Sequence, residues 1–197
     1  SVNRTTLFNE SIVIDYLSSF MKIITLIAAF AVLLISSNYL RAFKIFKIEY
    51  PILILSSVLG MMIMISSNDL IVFYMGLELQ SLGLYVLATF NRDQLKSSEA
   101  GLKYFVLSAL SSGLLLYGCS LIYGFTGSTN FDFISTQFNA NEYALTFGIV
   151  FVLVGLAFKI SAVPFHMWAP DVYEGSPTSV TLFFTMVPKI AALTVFI

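Results

Sequence analysis

Three ionisable side chains stand where an apolar chain accommodates them least. Glu78 lies about nine residues into the run Leu70 to Phe90. Lys159 follows Tyr143 to Phe158, sixteen residues without a charge, and Lys189 sits at the middle of Ser179 to Ile197 beside Pro188. At about 1.5 Å per residue, a helix carrying Lys159 takes it some 20 Å or more into a bilayer. Each such ion costs roughly 2.5 to 3.5 kcal/mol or more on insertion scales, so each needs a partner or water. The chemistry open to a carboxyl and amines in that setting is proton transfer. Desolvation favours the neutral form of both, and an opposite charge nearby favours the charged form. Making or breaking a Glu–Lys contact therefore loads and releases protons. The competing reading is a buried Glu–Lys pair that only fixes helix packing.

The stretch AFKISAVPFHMWAPDVYEGSPT, residues 157–178, surrounds Lys159 with three prolines and the single histidine. Pro164 cannot donate to the carbonyl of Ile160, which predicts a helix broken there with free carbonyls beside the charge. Broken helices at membrane depth line sites and paths. His166 is either a third titrating group or a polar residue satisfied by the freed backbone. Lys103 is either an interfacial anchor or a further member of the buried set. Cys119, the single cysteine, lies between Gly118 and Ser120 and reads as a small packing residue. It offers neither a disulfide nor an iron–sulfur site. With no second histidine and no Gly-rich phosphate loop after a strand, no metal or cofactor is expected on this chain.

The elements that must position these residues follow from composition. Hydrophobic residues make up 58% and charged residues 11%, against about 25% charged in soluble domains, and the mean hydropathy is +0.89. The expectation is an all-α polytopic membrane protein of about six transmembrane helices. The net charge of −1 excludes the basic footprint of a nucleic-acid binder. Residues 1–19 read as an exposed lead-in and 20–197 as a single membrane domain. Its spans are expected at about 20–40, 51–67, 70–90, 99–124 and 143–163, then a break at 164–178 and a last span at 179–197. Tyr74, Glu78, Ser81 and Tyr85 recur at helical spacing, so their stripe should face protein. Ser108 with Ser112, and Ala109 with Gly113, have the small-xxx-small spacing of close helix packing in lipid.

Three runs carry a resemblance: GLELQSLGLYVLA (76–88), EAGLKYFVLSALSSGLLLYGCSLIYGFTG (99–127) and GLAFKISAVPFHMWAPDVYEGSPTSV (155–180). They resemble the subunit 2 family of respiratory complex I, the proton-pumping NADH:ubiquinone oxidoreductase, called subunit N in bacteria. The resemblance covers roughly Phe20 to the end. It implies the first half of an antiporter-like inverted-repeat fold, broken at Pro164, that offers a half-channel for protons. By motif, Glu78, Lys159 and Lys189 match the family's relay residues, and Lys103 matches another family lysine. The resemblance further implies that NADH, FMN, iron–sulfur clusters and ubiquinone are handled in other subunits, and that the partners are the other membrane-arm subunits and lipid. Because the family continues into a second repeat, another chain or segment is expected to supply further helices beside Lys189, which would otherwise point at nothing. The alternative is a subunit of a secondary cation/proton antiporter without redox coupling. Retention of all three ions argues against a non-pumping structural subunit. A content of 19 Phe and 10 Tyr in a shortened chain suggests an organelle-encoded protein of the mitochondrial inner membrane.

Loop charge orients the chain. Lys plus Arg number three in 41–50, none in 68–69, two in 91–98, none in 125–142 and none in 164–178, and basic loops stay on the cytoplasmic or matrix face. Single cysteines in 41–50 and 91–98 should therefore be labelled from the matrix side and those in 125–142 from the opposite side. Reactivity of the first two loops only from the intermembrane side overturns this topology.

Overall fold

The computed structural model describes residues 4–137 and 142–196. A short hairpin, β1 (Thr5–Leu7) and β2 (Ile12–Ile14), precedes α1 (Tyr16–Ala42), α2 (Glu49–Ile65), α3 (Leu70–Ala88) and α4 (Leu95–Thr126). Then come α5 (Phe131–Thr136), α6 (Glu142–Lys159), α7 (Ala169–Gly175) and α8 (Thr178–Thr194). By length and composition α1, α3 and α4 can each cross a membrane, and α2, α6 and α8 supply shorter apolar helices. The chain is thus a multi-pass, helical membrane protein, as expected. Its lipid-compatible exterior is furnished by side chains such as Phe30, Leu34 and Ile35 of α1 and Leu102, Phe105 and Leu110 of α4.

The expected lead-in is more ordered than its polarity suggested. Residues 5–14 form the hairpin, and α1 starts at Tyr16 because Asp15 caps it. The Asp15 carboxylate accepts from the Ser18 N–H at 2.7 Å while Ser18 Oγ accepts from the Asp15 N–H at 3.0 Å, which satisfies two otherwise orphan donors. The hairpin then docks on the α2–α3 turn: Val13 N–H donates to the Ser66 carbonyl and Asn68 N–H to the Ser11 carbonyl, both at 2.8 Å. Arg4 reaches the carboxylate of Asp132 at 2.6 and 2.8 Å and holds it below the usual carboxylate range. The N-terminus, the 66–69 turn and the 127–132 connection therefore share one face. Tyr39 meets Thr178 at 3.4 Å and Lys96 meets Glu174 at 2.9 Å on the other face. Both groupings agree with the alternation read from loop charge.

Two antiparallel helix pairs form the frame. In α2–α3 the contact is made by glycines: a Cβ on Gly60 would stand 2.4 Å from the Gln80 backbone nitrogen, and one on Gly76 2.8 Å from that of Met64. In α4–α6, Gly118 approaches the Gly148 carbonyl in the same way, at 2.7 Å from an added Cβ. The sequence had pointed to Ser108, Ser112, Ala109 and Gly113 instead. Ser108 and Ser112 are indeed buried, but Ala109 and Gly113 face outward, with nothing within 4 Å of a Cβ added to Gly113. The fully buried Tyr50, Ile54, Met61, Phe73, Leu77, Leu84 and Phe183 fill the space among α2, α3 and α8.

Replacing Gly60 by alanine should overpack the α2–α3 seam, at a cost of about 1 to 3 kcal/mol. It should lower the thermal midpoint in detergent by several degrees, whereas Gly113→Ala should leave the midpoint near that of the parent. Equal midpoints for both variants would contradict the close packing.

Candidate functional site

Lys159 is the last residue of α6, not a residue inside a helix running to Val163. The helix stops because Ser161 adopts φ +60°, and Ala162 N–H bonds the Ala157 carbonyl while Ser161 N–H bonds that of Phe158. This paired 6→1 and 5→2 pattern terminates helices, so the break begins four residues before Pro164, which lies in the connecting segment. Lys159 thus sits at a helix C-terminus, where the negative dipole end favours a cation by about 0.3 to 2 kcal/mol. The Phe158 carbonyl also accepts the indole N–H of Trp168 at 3.0 Å. Trp168 is itself stacked on Tyr104 with centroids 4.7 Å apart and rings 10° from parallel.

The segment expected as an irregular break at 164–178 contains α7, which runs down the first turns of α4. Lys103 contacts Asp171 at 2.7 Å and Glu99 at 2.8 Å, and Lys96 contacts Glu174 at 2.9 Å. A Cβ on Gly175 would lie 2.6 Å from the Lys96 carbonyl oxygen, so α7 lies directly against the α4 backbone. Taken together, α6, residues 160–168 and α7 make one interrupted crossing, with Lys159 at the interruption. Ser108, its partner on α4, is thirteen residues from Leu95, which puts the interruption about 20 Å along α4.

The ammonium of Lys159 is buried and surrounded by hydroxyls. It donates to Ser108 Oγ at 2.7 Å, Ser81 Oγ at 2.9 Å and Tyr85 OH at 3.4 Å, and lies 5.9 Å from the Tyr85 ring centroid. Tyr85 OH in turn donates to Ser108 Oγ at 2.6 Å. The stripe read on α3 therefore faces this pocket through Ser81 and Tyr85. Glu78 stands one turn earlier on the same helix, but it forms no ion pair with Lys159: the ion pairs among the described residues are those of Arg4, Lys96 and Lys103. Its Oε1 is buried without a protein hydrogen-bond partner, a condition that calls for a proton or a water at that oxygen. Three neutral hydroxyls hold the ammonium in place of a direct carboxylate, because α3 presents Ser81 and Tyr85, not Glu78, at the level of the α6 terminus.

The other residues singled out in the sequence fall elsewhere. Lys189, half-buried on α8, lies 5.5 Å from the ring centroid of Tyr173 on α7, so it has a neighbour within its own chain where none was expected. Lys103 is an ion-paired, partly exposed residue where α7 meets α4, not a member of the buried set. His166 is exposed, and its carbonyl accepts the Ala169 N–H that opens α7. Ser108 was read only as a packing residue, and Tyr104 and Trp168 were not singled out. The visible signal for Trp168 was the single tryptophan of the chain, placed four residues after Pro164.

Residues 67–197 match a family profile described as NADH:quinone oxidoreductase/Mrp antiporter, TM. The chain is 77% identical over 192 residues to NADH-quinone oxidoreductase subunit N of Pelagibacter ubique, a match covering 98% of this chain and 41% of the relative. Its structure is similar to a chain of respiratory complex I from Thermus thermophilus with bound aureothin, at TM-score 0.81 and 32% identity over 98% of this chain and 42% of that one. It is also similar to a chain of the Mrp complex from Dietzia sp., at TM-score 0.78 and 26% identity over 94% of this chain and 35% of that one. The chain spans about two-fifths of the length of the curated relatives it matches.

Proposed function

Because the chain belongs to the NADH:quinone oxidoreductase/Mrp antiporter transmembrane family, we propose that it acts as a proton-translocating membrane-arm subunit of an NADH:quinone oxidoreductase of the complex I type. The observation that carries the reading is the Lys159 pocket, an ammonium held by three hydroxyls at the interruption of a membrane-crossing helix. The hydroxyls of Ser81, Ser108 and Tyr85 both donate and accept. They can therefore stabilise the ammonium, and the amine left after it gives up its proton. Glu78 supplies the field. An opposite charge near a buried lysine favours its charged form, so a small displacement of the α6 terminus against α3 changes which group carries the proton. Lys189 is the next station, reached on α8 behind α7.

Lys103, with Glu99 and Asp171, lies at the mouth of the path, where the ion pairs tie α7 to α4. The exposed imidazole of His166 is left out of this relay. NADH, FMN, iron–sulfur clusters and ubiquinone belong in this reading to other subunits, whose free energy reaches Lys159 through the membrane arm. Further helices beside Lys189, on another chain or segment, would complete the second half of the path. The relatives named are bacterial, which favours a bacterial energy-coupling membrane over the mitochondrial one suggested by aromatic content. A cation/proton antiporter without redox coupling is the second reading, motivated by the likeness to the Mrp chain. The much higher identity to subunit N favours the first, and co-purification with flavin and iron–sulfur subunits separates the two.

Glu78→Gln, Lys159→Met and Lys189→Met should each reduce proton pumping and coupled quinone reduction in membrane vesicles, by about tenfold or more for Lys159→Met. NADH oxidation by artificial acceptors should stay close to the parent rate. An assembled Lys159→Met complex that pumps with unchanged stoichiometry removes Lys159 from the relay.

A further inference from the structure

Between Lys159 and Lys189 the structure places a continuous line of aromatic rings. Tyr85, beside Lys159, meets Tyr104 edge-on at 5.0 Å, Tyr104 stacks on Trp168 at 4.7 Å, and Trp168 meets Tyr173 edge-on at 5.9 Å. Lys189 then lies over the Tyr173 ring. Packed rings exclude water, so the line is a wall as much as a link. Its one indole N–H is committed to the Phe158 carbonyl. At the Lys189 end the wall carries a polar atom with no protein partner, the buried hydroxyl of Tyr173. Two further hydroxyls in the α7–α8 elbow, Ser176 Oγ and Ser179 Oγ, are buried and equally without a protein partner. Each buried hydroxyl left unsatisfied costs about 1 to 3 kcal/mol, a cost that a water hydrogen-bonded to it would remove.

We propose that the Tyr173 hydroxyl is a proton-transfer group of the relay, passing protons between Lys189 and water held in the α7–α8 elbow. The proposal rests on the relay reading given above. In the transfer an N–H bond of the Lys189 ammonium breaks, and its proton passes through one elbow water to the phenol oxygen. The phenol O–H proton leaves at the same time to a second elbow water. The ring ends as it began, a neutral phenol, and the charge has moved from nitrogen to water. The reverse sequence reloads Lys189. The ring face also stabilises the lysine cation, by about 0.5 to 2 kcal/mol, so hydroxyl and ring have separable tasks.

Tyr173→Phe keeps the ring, the contact with Trp168 and the cation contact while it removes the hydroxyl. Measured in vesicles holding the assembled complex, it should slow proton translocation by about tenfold or more and enlarge the solvent deuterium isotope effect. Tyr173→Leu, which removes the ring as well, should be no better. Incorporation of 3,5-difluorotyrosine at 173 preserves the shape and makes the phenol a better proton donor and a poorer acceptor, so it should change the pumping rate and its solvent isotope effect at fixed pH. Parent-like pumping by Tyr173→Phe with loss only in Tyr173→Leu assigns Tyr173 to packing and overturns the proposal. If Tyr173→Phe does not assemble, an unchanged pumping rate and isotope effect in the fluorinated protein overturn it equally. Lys159→Met run in parallel separates the two levels. If it pumps normally, the relay itself is wrong; if it fails while Tyr173→Phe is normal, only the role of Tyr173 is lost.

Discussion

The arrangement depends on one requirement, that the ammonium of Lys159 be satisfied by protein groups within a membrane-embedded core. In water such a group is solvated at no structural cost, but in lipid each of its donors needs an acceptor built into the fold. Three helices meet that need together. α3 supplies Ser81 and Tyr85, α4 supplies Ser108, and α6 ends at the lysine, so that its last carbonyls and dipole also favour the charge. No one of these helices could hold the charge alone. The buried lysine therefore fixes how α3, α4 and α6 are rotated and at what depth they meet.

The interruption in the α6–α7 crossing follows from the same requirement. A continuous helix would bond its carbonyls internally and keep Lys159 away from the dipole end that favours its charge. Ending the helix at the lysine leaves its last carbonyls without regular intrahelical donors, and the fold then has to satisfy them. Trp168 does so for Phe158, and its stack on Tyr104 anchors the connecting segment to α4. The ion pairs of Lys96 and Lys103 with α7 hold the second half of the crossing to the same helix. Exposed pairs of this kind contribute little individually in water. Their effect here is one of register, since they fix α7 along the first turns of α4 and thereby set where Tyr173 meets Lys189.

Against this interrupted crossing stands a rigid one. The α2–α3 hairpin is closed by backbone approach at Gly60 and Gly76, and its turn is tied by backbone hydrogen bonds to the N-terminal hairpin and to the 127–131 connection. Close packing leaves α3 few ways to rotate, so Ser81 and Tyr85 stay aimed at the pocket. A relay needs both parts: a fixed frame to present the hydroxyls, and a helix end whose hydrogen bonds are local and few.

Much of this was legible in the sequence because lipid makes composition decisive. Long apolar runs must become helices, the runs are countable, and an isolated Glu or Lys within one stands out by its cost. The long apolar helices, the stripe of Tyr74, Glu78, Ser81 and Tyr85 that faces protein, and the cost that makes a buried Lys159 stand out all follow from that rule. Which groups meet does not. That Lys159 rests on hydroxyls and not on Glu78 depends on the relative depth of two helices, a shift of one turn that no periodicity records. That α6 ends at Lys159 and not at Pro164 depends on a left-handed Ser161, a residue type with no marked preference for that conformation. The N-terminal hairpin was hidden because its strands pair locally and dock by backbone hydrogen bonds, which leave no side-chain pattern. The line of rings from Tyr85 to Tyr173 was hidden for a different reason: it joins three helices and a loop, and only the tertiary structure brings residues 85, 104, 168 and 173 within ring contact.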